Sequence, residues 1–233
     1  GAYMGTVVLV VFWLATWIVS RGMKSSTGIS NIGLTFGTIV PALALIFFMF
    51  AWLVDDKTSQ VSYDGLSSLV PPVTGLSSIA LVVGTFVAFA GLEVNAVHIA
   101  KMKGPPKNYL RAVVLAACTV FVMYLLGSLA ISVVVPDATL ELTSGASQAF
   151  TAYADGFGIP DLSNVLSGLL VLGALAASIA WIGGPSRSMW LVGRAGYLPR
   201  WLQKTNRNDM QISLLLLQGV IVSVLSFVFV VLP

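Results

Sequence analysis

Apolar residues run through this chain in blocks of membrane length, separated by short polar loops, and not in the one-faced or alternating patterns of soluble helices and strands. A helix of about 20 mostly apolar residues is needed to cross the hydrocarbon, where no water serves backbone donors and acceptors. Six stretches meet this condition and predict spans over 3–20, 29–54, 77–102, 112–135, 162–192 and 212–232. The expected fold is an all-α polytopic membrane protein with one transmembrane domain over residues 1–233. The stretch from Ser144 to Gly158 places Phe150, Tyr153, Ala154 and Phe157 at helical spacing, which fits either a short interfacial helix or an irregular capping loop.

Composition strengthens this reading. Hydrophobic residues make up 57% of the chain and charged residues 9%, whereas a soluble domain carries about 25% charged residues. Too few ionisable groups are present to coat a water-exposed surface. Of the 12 Lys and Arg residues, all but Lys57 fall after the first and third spans or at the end of and after the fifth. The intervening loops hold Asp55, Asp56, Asp64, Asp137, Glu141, Asp155 and Asp161. Basic loops mark the cytoplasmic side, so both visible ends are expected outside.

The basic residues form no long run or aromatic-interleaved stripe, which argues against nucleic acid as a partner. Cys118 has no second thiol and reads as a small buried hydrophobe. The apolar run at the start is followed, not preceded, by basic residues, unlike a cleavable signal peptide. Both termini read as cuts through a longer protein.

Candidate chemistry concentrates in the third span, through Val87, Ala88, Phe89, Ala90, Gly91, Glu93, Asn95 and His98. A carboxylate at the centre of a membrane helix costs about 2.5–3.5 kcal/mol on insertion scales, so Glu93 needs a partner, a watered cavity or a proton. Gly91 permits the backbone to unwind or a neighbour to approach closely. One reading is a helix broken near Gly91, whose free carbonyls and amides meet a small polar ligand. The other is a continuous helix with Gly91 as a packing contact and Glu93 as a hydrogen-bond anchor. Asn95 and His98 share a face, and His98 serves either structural hydrogen bonding or a proton-linked step. As the sole histidine it lacks the companions a metal site requires.

The fifth span exceeds one perpendicular crossing, so it must tilt or extend into the cytoplasm. Gly173, Ala177, Ala180 and Gly184 predict a seam of small residues for another helix. Trp181 precedes Ile182-Gly183-Gly184-Pro185, where a local bend is expected; its ring lies either beside a mobile region or at the interface as an anchor. Pro41 predicts a kink in the second span.

These motifs resemble the glutamate/γ-aminobutyrate antiporters of the amino acid, polyamine and organocation transporter superfamily. Ala90-Gly91-Leu92-Glu93-Val94-Asn95-Ala96-Val97-His98, continued by Pro106-Lys107-Asn108-Tyr109, is similar to the family's broken sixth helix and the loop after it. Trp181-Ile182-Gly183-Gly184-Pro185-Ser186-Arg187, Gly196-Tyr197-Leu198-Pro199 and Lys204-Thr205-Asn206-Arg207-Asn208 resemble the end of the eighth helix and the next loop. The resemblance covers essentially the whole chain. It implies helices four to nine of a twelve-helix, LeuT-like inverted-repeat fold, in a bacterial inner membrane.

From the resemblance come a substrate path along Val87, Ala88, Phe89, Ala90, Gly91, Glu93 and Trp181, a gating or proton-linked role for Glu93 beside the proton-linked reading of His98 given above, and exchange of outside glutamate for inside γ-aminobutyrate in acid resistance. The implied partners are an amino-acid substrate, membrane lipid and the parent chain's remaining helices, with no cofactor or metal. The alternatives are another amino-acid or polyamine transporter of the superfamily, a structural subunit, or an intramembrane enzyme, for which no paired catalytic groups are visible.

Overall fold

The computed structural model describes residues 2–61, 75–87, 89–92, 104–105, 107–141 and 143–231. Eight α-helices lie among them: α1 (Ala2–Ser20), α2 (Met23–Leu34), α3 (Val40–Val54), α4 (Leu76–Val87), α5 (Lys107–Val134), α6 (Gly145–Phe157), α7 (Pro160–Val192) and α8 (Ile212–Val231). No strand occurs among the described residues. Three helical stretches, 24–54, 107–134 and 160–197, have the length and apolarity to cross a membrane, and α1 and α8 supply shorter apolar helices. The chain is an all-helical, multi-pass membrane protein.

Two predicted spans begin earlier than hydropathy suggested, α2 at Met23 and α5 at Lys107. A helix continues past the hydrocarbon edge, where Lys and Asn are well solvated, so apolarity underestimates its length. The 33 residues of α7 rise about 50 Å, well beyond a hydrocarbon core of about 30 Å. The helix stays regular through Pro185, and its irregularity comes later. A π-helical turn over Gly193–Tyr197 contains Gly196 at φ 96°. This break lies one helical stretch beyond the Ile182–Pro185 segment where a bend was expected, and glycine tolerates the left-handed backbone there.

The chain divides into two compact units, residues 1–39 with 168–233, and residues 40–167. In the first, α1 packs on α8. Trp13 donates its indole N–H to Ser223 Oγ at 3.1 Å, and a Cβ on Gly219 would stand 2.7 Å from the Trp13 ring. Ala15, Val19, Ile179, Ile182, Met210 and Leu215 form a buried core. The loop before α8 closes on the end of α1, since Asn206 and Asn208 both donate side-chain N–H groups to the Ser20 carbonyl, at 2.7 and 3.3 Å.

The seam on α7 has a different phase from the expected one. Gly37 meets Gly173, and Gly33 meets Ala176, so closely that added Cβ atoms would overlap the facing residues. Ser30 donates to the Ala176 carbonyl at 3.0 Å. Gly173 belongs to the seam, but Ala176 stands where Ala177 was expected and Ala180 is exposed. Small residues surround α7 on several faces, and Gly33 and Gly37 select the face used. A π-helical turn, Thr35–Ile39, carries Gly37 at this crossing. Pro41 follows it and has no N–H for the Gly37 carbonyl, which accounts for the local loss of α-helical pairing.

In the second unit, α6 confirms the helical spacing read over 144–158. Tyr153 is fully buried and donates its hydroxyl to the Ala130 carbonyl of α5 at 2.6 Å. Its ring centroid lies 6.0 Å from Phe48 and 5.6 Å from Trp52, both on α3, and Phe157 is 5.7 Å from Phe48. Burial pushes the Tyr153 phenol above its ordinary range. Gly158 ends α6 at φ 69°, and the Ile159 N–H returns to the Ala154 carbonyl at 2.8 Å, a Schellman closure. Lys57, the single base among the acidic loops, caps the Gly156 carbonyl and lies over the Phe157 ring at 4.1 Å. Cys118 is exposed on α5 and not buried, because an apolar helix does not distinguish a lipid-facing position from a core one by hydropathy.

Candidate functional site

The described helix of the third span, α4, reaches Val87. Residues 89–91 form a turn, and Gly91 has φ 96°. Thr85 donates its hydroxyl to the Val82 carbonyl at 2.6 Å, and the Phe89 N–H reaches the Phe86 carbonyl at 3.1 Å, a contraction typical of a helix end. An L side chain at Gly91 would be strained by roughly 1–2 kcal/mol, so glycine is what allows the chain to turn there. The break near Gly91 that the sequence suggested is present in the backbone.

A helix ending inside an apolar span has a definite electrostatic character. Its last carbonyls carry the negative end of the helix dipole and lack intrahelical donors, which suits a cationic group such as an ammonium. Ala90 is exposed, while Phe89, Gly91 and Leu92 are half-buried. Ala88, Glu93, Asn95 and His98 lie outside the described residues, as does the side chain of Val87.

Trp181 belongs to the first unit, on α7, and is 52% exposed. Ser178, one turn earlier, uses its hydroxyl on the Ala174 carbonyl at 2.9 Å. Pro185 lies four residues after Trp181 and cannot donate to the Trp181 carbonyl. Among the described residues no group of three His, Cys, Asp or Glu side chains could hold a metal.

Sequence reasoning missed a polar clamp beyond Pro185. Arg187 is buried, donates to the Asp209 carbonyl at 3.3 Å, and stacks over Trp190 at 4.2 Å, with Arg194 5.1 Å from the same ring. Trp190 in turn donates to the Gln203 carbonyl at 3.1 Å. The spacing of Arg187, Trp190 and Arg194, three and four residues along one helix face, was the available signal. Gln211 nearby is wholly buried, and its side-chain amide has no hydrogen-bond partner among the described residues.

The amino acid permease family profile matches residues 3–232. An uncharacterized transporter of Legionella pneumophila is 32% identical over 230 residues, covering 99% of this chain and 49% of that protein. A glutamate/γ-aminobutyrate antiporter of Lactococcus lactis is 25% identical over 218 residues, covering 93% of this chain and 43% of the relative. A putrescine transporter of Haemophilus influenzae is 25% identical over 198 residues, covering 84% and 43%. The chain therefore spans about half the length of the relatives it matches.

Proposed function

We propose that this chain, which belongs to the amino acid permease family, forms the middle of a secondary active antiporter that exchanges extracellular glutamate for intracellular γ-aminobutyrate. The family places it among transporters and not enzymes. The observation that carries the proposal is the turn over residues 89–91 after α4, with Gly91 at φ 96° two residues before Glu93, in a segment of membrane length. The main chain around Phe89 and Ala90 lines the path and receives the substrate ammonium, and Trp181 is a separate candidate for a path-lining residue. Glu93 gates or couples a proton, with His98 as the second candidate for that step.

Rocking of one helix bundle against another exposes the site to each side in turn, and the two substrate gradients drive exchange. The rest of the parent chain completes the domain and the site. In a bacterial inner membrane with the basic loops inside, glutamate uptake coupled to γ-aminobutyrate release removes protons through internal decarboxylation and so resists acid. The Lactococcus antiporter relative supports this substrate pair. The test is full-length parent protein in liposomes at acidic pH. Internal γ-aminobutyrate should accelerate uptake of labelled glutamate, and Glu93→Gln should flatten its pH dependence. No acceleration removes the pair.

The Haemophilus relative favours a second reading, a polyamine substrate for which Glu93 is the counter-ion. Labelled putrescine uptake driven by internal putrescine, with γ-aminobutyrate inert, selects it.

A further inference from the structure

The first unit carries Arg21, Lys24, Arg187, Arg194, Arg200, Lys204 and Arg207 against a single acid, Asp209, which pairs with Arg187 at 3.9 Å. The loop that holds Arg200, Lys204 and Arg207 is tied to the end of α1 by the two asparagine bonds to Ser20. Positive charge is therefore gathered beside the α1–α2 junction. At that junction an open cleft of about 460 Å³ is lined by Trp17, Ile18, Arg21, Ser25 and Ile29.

The cleft combines three chemistries at one depth. The 19 residues of α1 rise about 28 Å, close to the hydrocarbon thickness, so Arg21 falls at headgroup level and Trp17 one turn inside it. The Arg21 guanidinium lies 4.4 Å from the Trp17 ring centroid and makes no ion pair among the described residues. Ser25 offers a hydroxyl, and exposed Ile29 continues the wall toward the apolar side. Gly22, which precedes α2, provides no side-chain acceptor for that helix's first-turn amides.

We propose that this cleft binds an anionic phospholipid, with the headgroup phosphate on Arg21 and Ser25, Trp17 against the glycerol region, and an acyl chain along Ile18 and Ile29. Charge complementarity chooses this occupant over a zwitterionic lipid, since a net negative headgroup meets a unit with seven bases and one acid. The site requires only that α1 crosses the membrane, and it is independent of which substrates are exchanged.

Native mass spectrometry of the purified full-length parent protein, offered phosphatidylglycerol or phosphatidylcholine, tests the site. Phosphatidylglycerol should be retained preferentially, and Arg21→Gln should weaken that retention roughly fivefold, while Lys57→Gln in the other unit leaves it unchanged. Equal retention of both lipids, or by Arg21→Gln and the parent, overturns the proposal. Displacement of the lipid by excess soluble glycerol phosphate also overturns it, because the ligand is then a free phosphate. Should Arg21→Gln fail to fold, a photoactivatable phosphatidylglycerol on the unmodified protein decides instead. Labelling within residues 17–29 supports the site, and labelling confined elsewhere refutes it.

Discussion

Replacing Gly37 by alanine should separate α2 from α7. A Cβ at Gly37 would stand 2.6 Å from the Leu169 carbonyl oxygen and nearer still to the Gly173 backbone; one at Gly173 would be 2.6 Å from the Gly37 carbonyl carbon and 2.9 Å from Thr38 Oγ1. Both obstacles include main chain, which cannot rotate away as a side chain can. Relief to ordinary contact requires an opening of roughly 1 Å, and overpacking of this kind costs about 1–3 kcal/mol. The same movement would stretch the 3.0 Å bond from Ser30 to the Ala176 carbonyl.

Since either methyl opens the same gap, the two substitutions should not add: once Gly37→Ala has parted the helices, Gly173→Ala costs little more. Thermal unfolding of the full-length parent protein in detergent, measured for both single variants and the double variant, reads this directly. Gly168→Ala, with open space around its Cβ position, is the control. A Gly37→Ala protein as stable as its parent, or a double variant showing the sum of two large losses, would refute the close-crossing argument.

Tyr153→Phe should cost about 1 kcal/mol by removing the buried hydrogen bond from its hydroxyl to the Ala130 carbonyl, as read by denaturant unfolding. Because burial raises the folded phenol's pKa while the unfolded one ionises near ~10, the native protein should lose stability as pH rises through that value. That alkaline component should vanish in Tyr153→Phe. Gly91→Ala should slow substrate uptake in liposomes by about tenfold, equivalent to about 1.4 kcal/mol of strain, while Gly84→Ala, with open space in α4, should leave the rate unchanged. Arg187→Met should release the loop before α8, since it removes the bond to the Asp209 carbonyl and the Trp190 stack. Faster limited proteolysis after Arg200, Lys204 or Arg207 checks it.

The membrane architecture was legible because lipid makes a crude demand: long apolar helices and charges confined to loops. Residue-level phasing was harder to read. On α7 several faces satisfy a small-residue pattern, and only the pairing of Gly33 with Ala176 and Gly37 with Gly173 identifies the one in contact. Those glycines, four apart on α2 and the π-helical turn after it, were present in the sequence but meant nothing without their partner. Cys118 was misread for a related reason, since apolar surroundings on α5 describe lipid as well as core. Tyr153 and Phe157 succeeded because α6 is short and amphipathic, so its spacing has one solution. The start of the candidate site was readable from Gly91, while the Trp17–Arg21 cleft depends on α2 folding back against α1, which no local spacing specifies.

Irregular main chain at membrane depth survives only when protein or water covers its unpaired groups. Three departures from regular α-helix occur in or beside apolar segments of the described residues. At Thr35–Ile39 the cover is protein, because Gly173 packs directly on Gly37. At Gly193–Tyr197 protein covers only Gly193, with Leu198 and Gln203 so near that a Cβ would lie 3.3 and 3.4 Å from their side chains. The turn over residues 89–91 differs in leading on, two residues after Gly91 in the sequence, to Glu93, a group that itself requires polar company. The first two departures are held at Gly37 and Gly193, with no carboxylate in or beside them in the sequence. The third adjoins a carboxylate, which is why the transport proposal rests on α4 and not on the longer and more visibly interrupted α7.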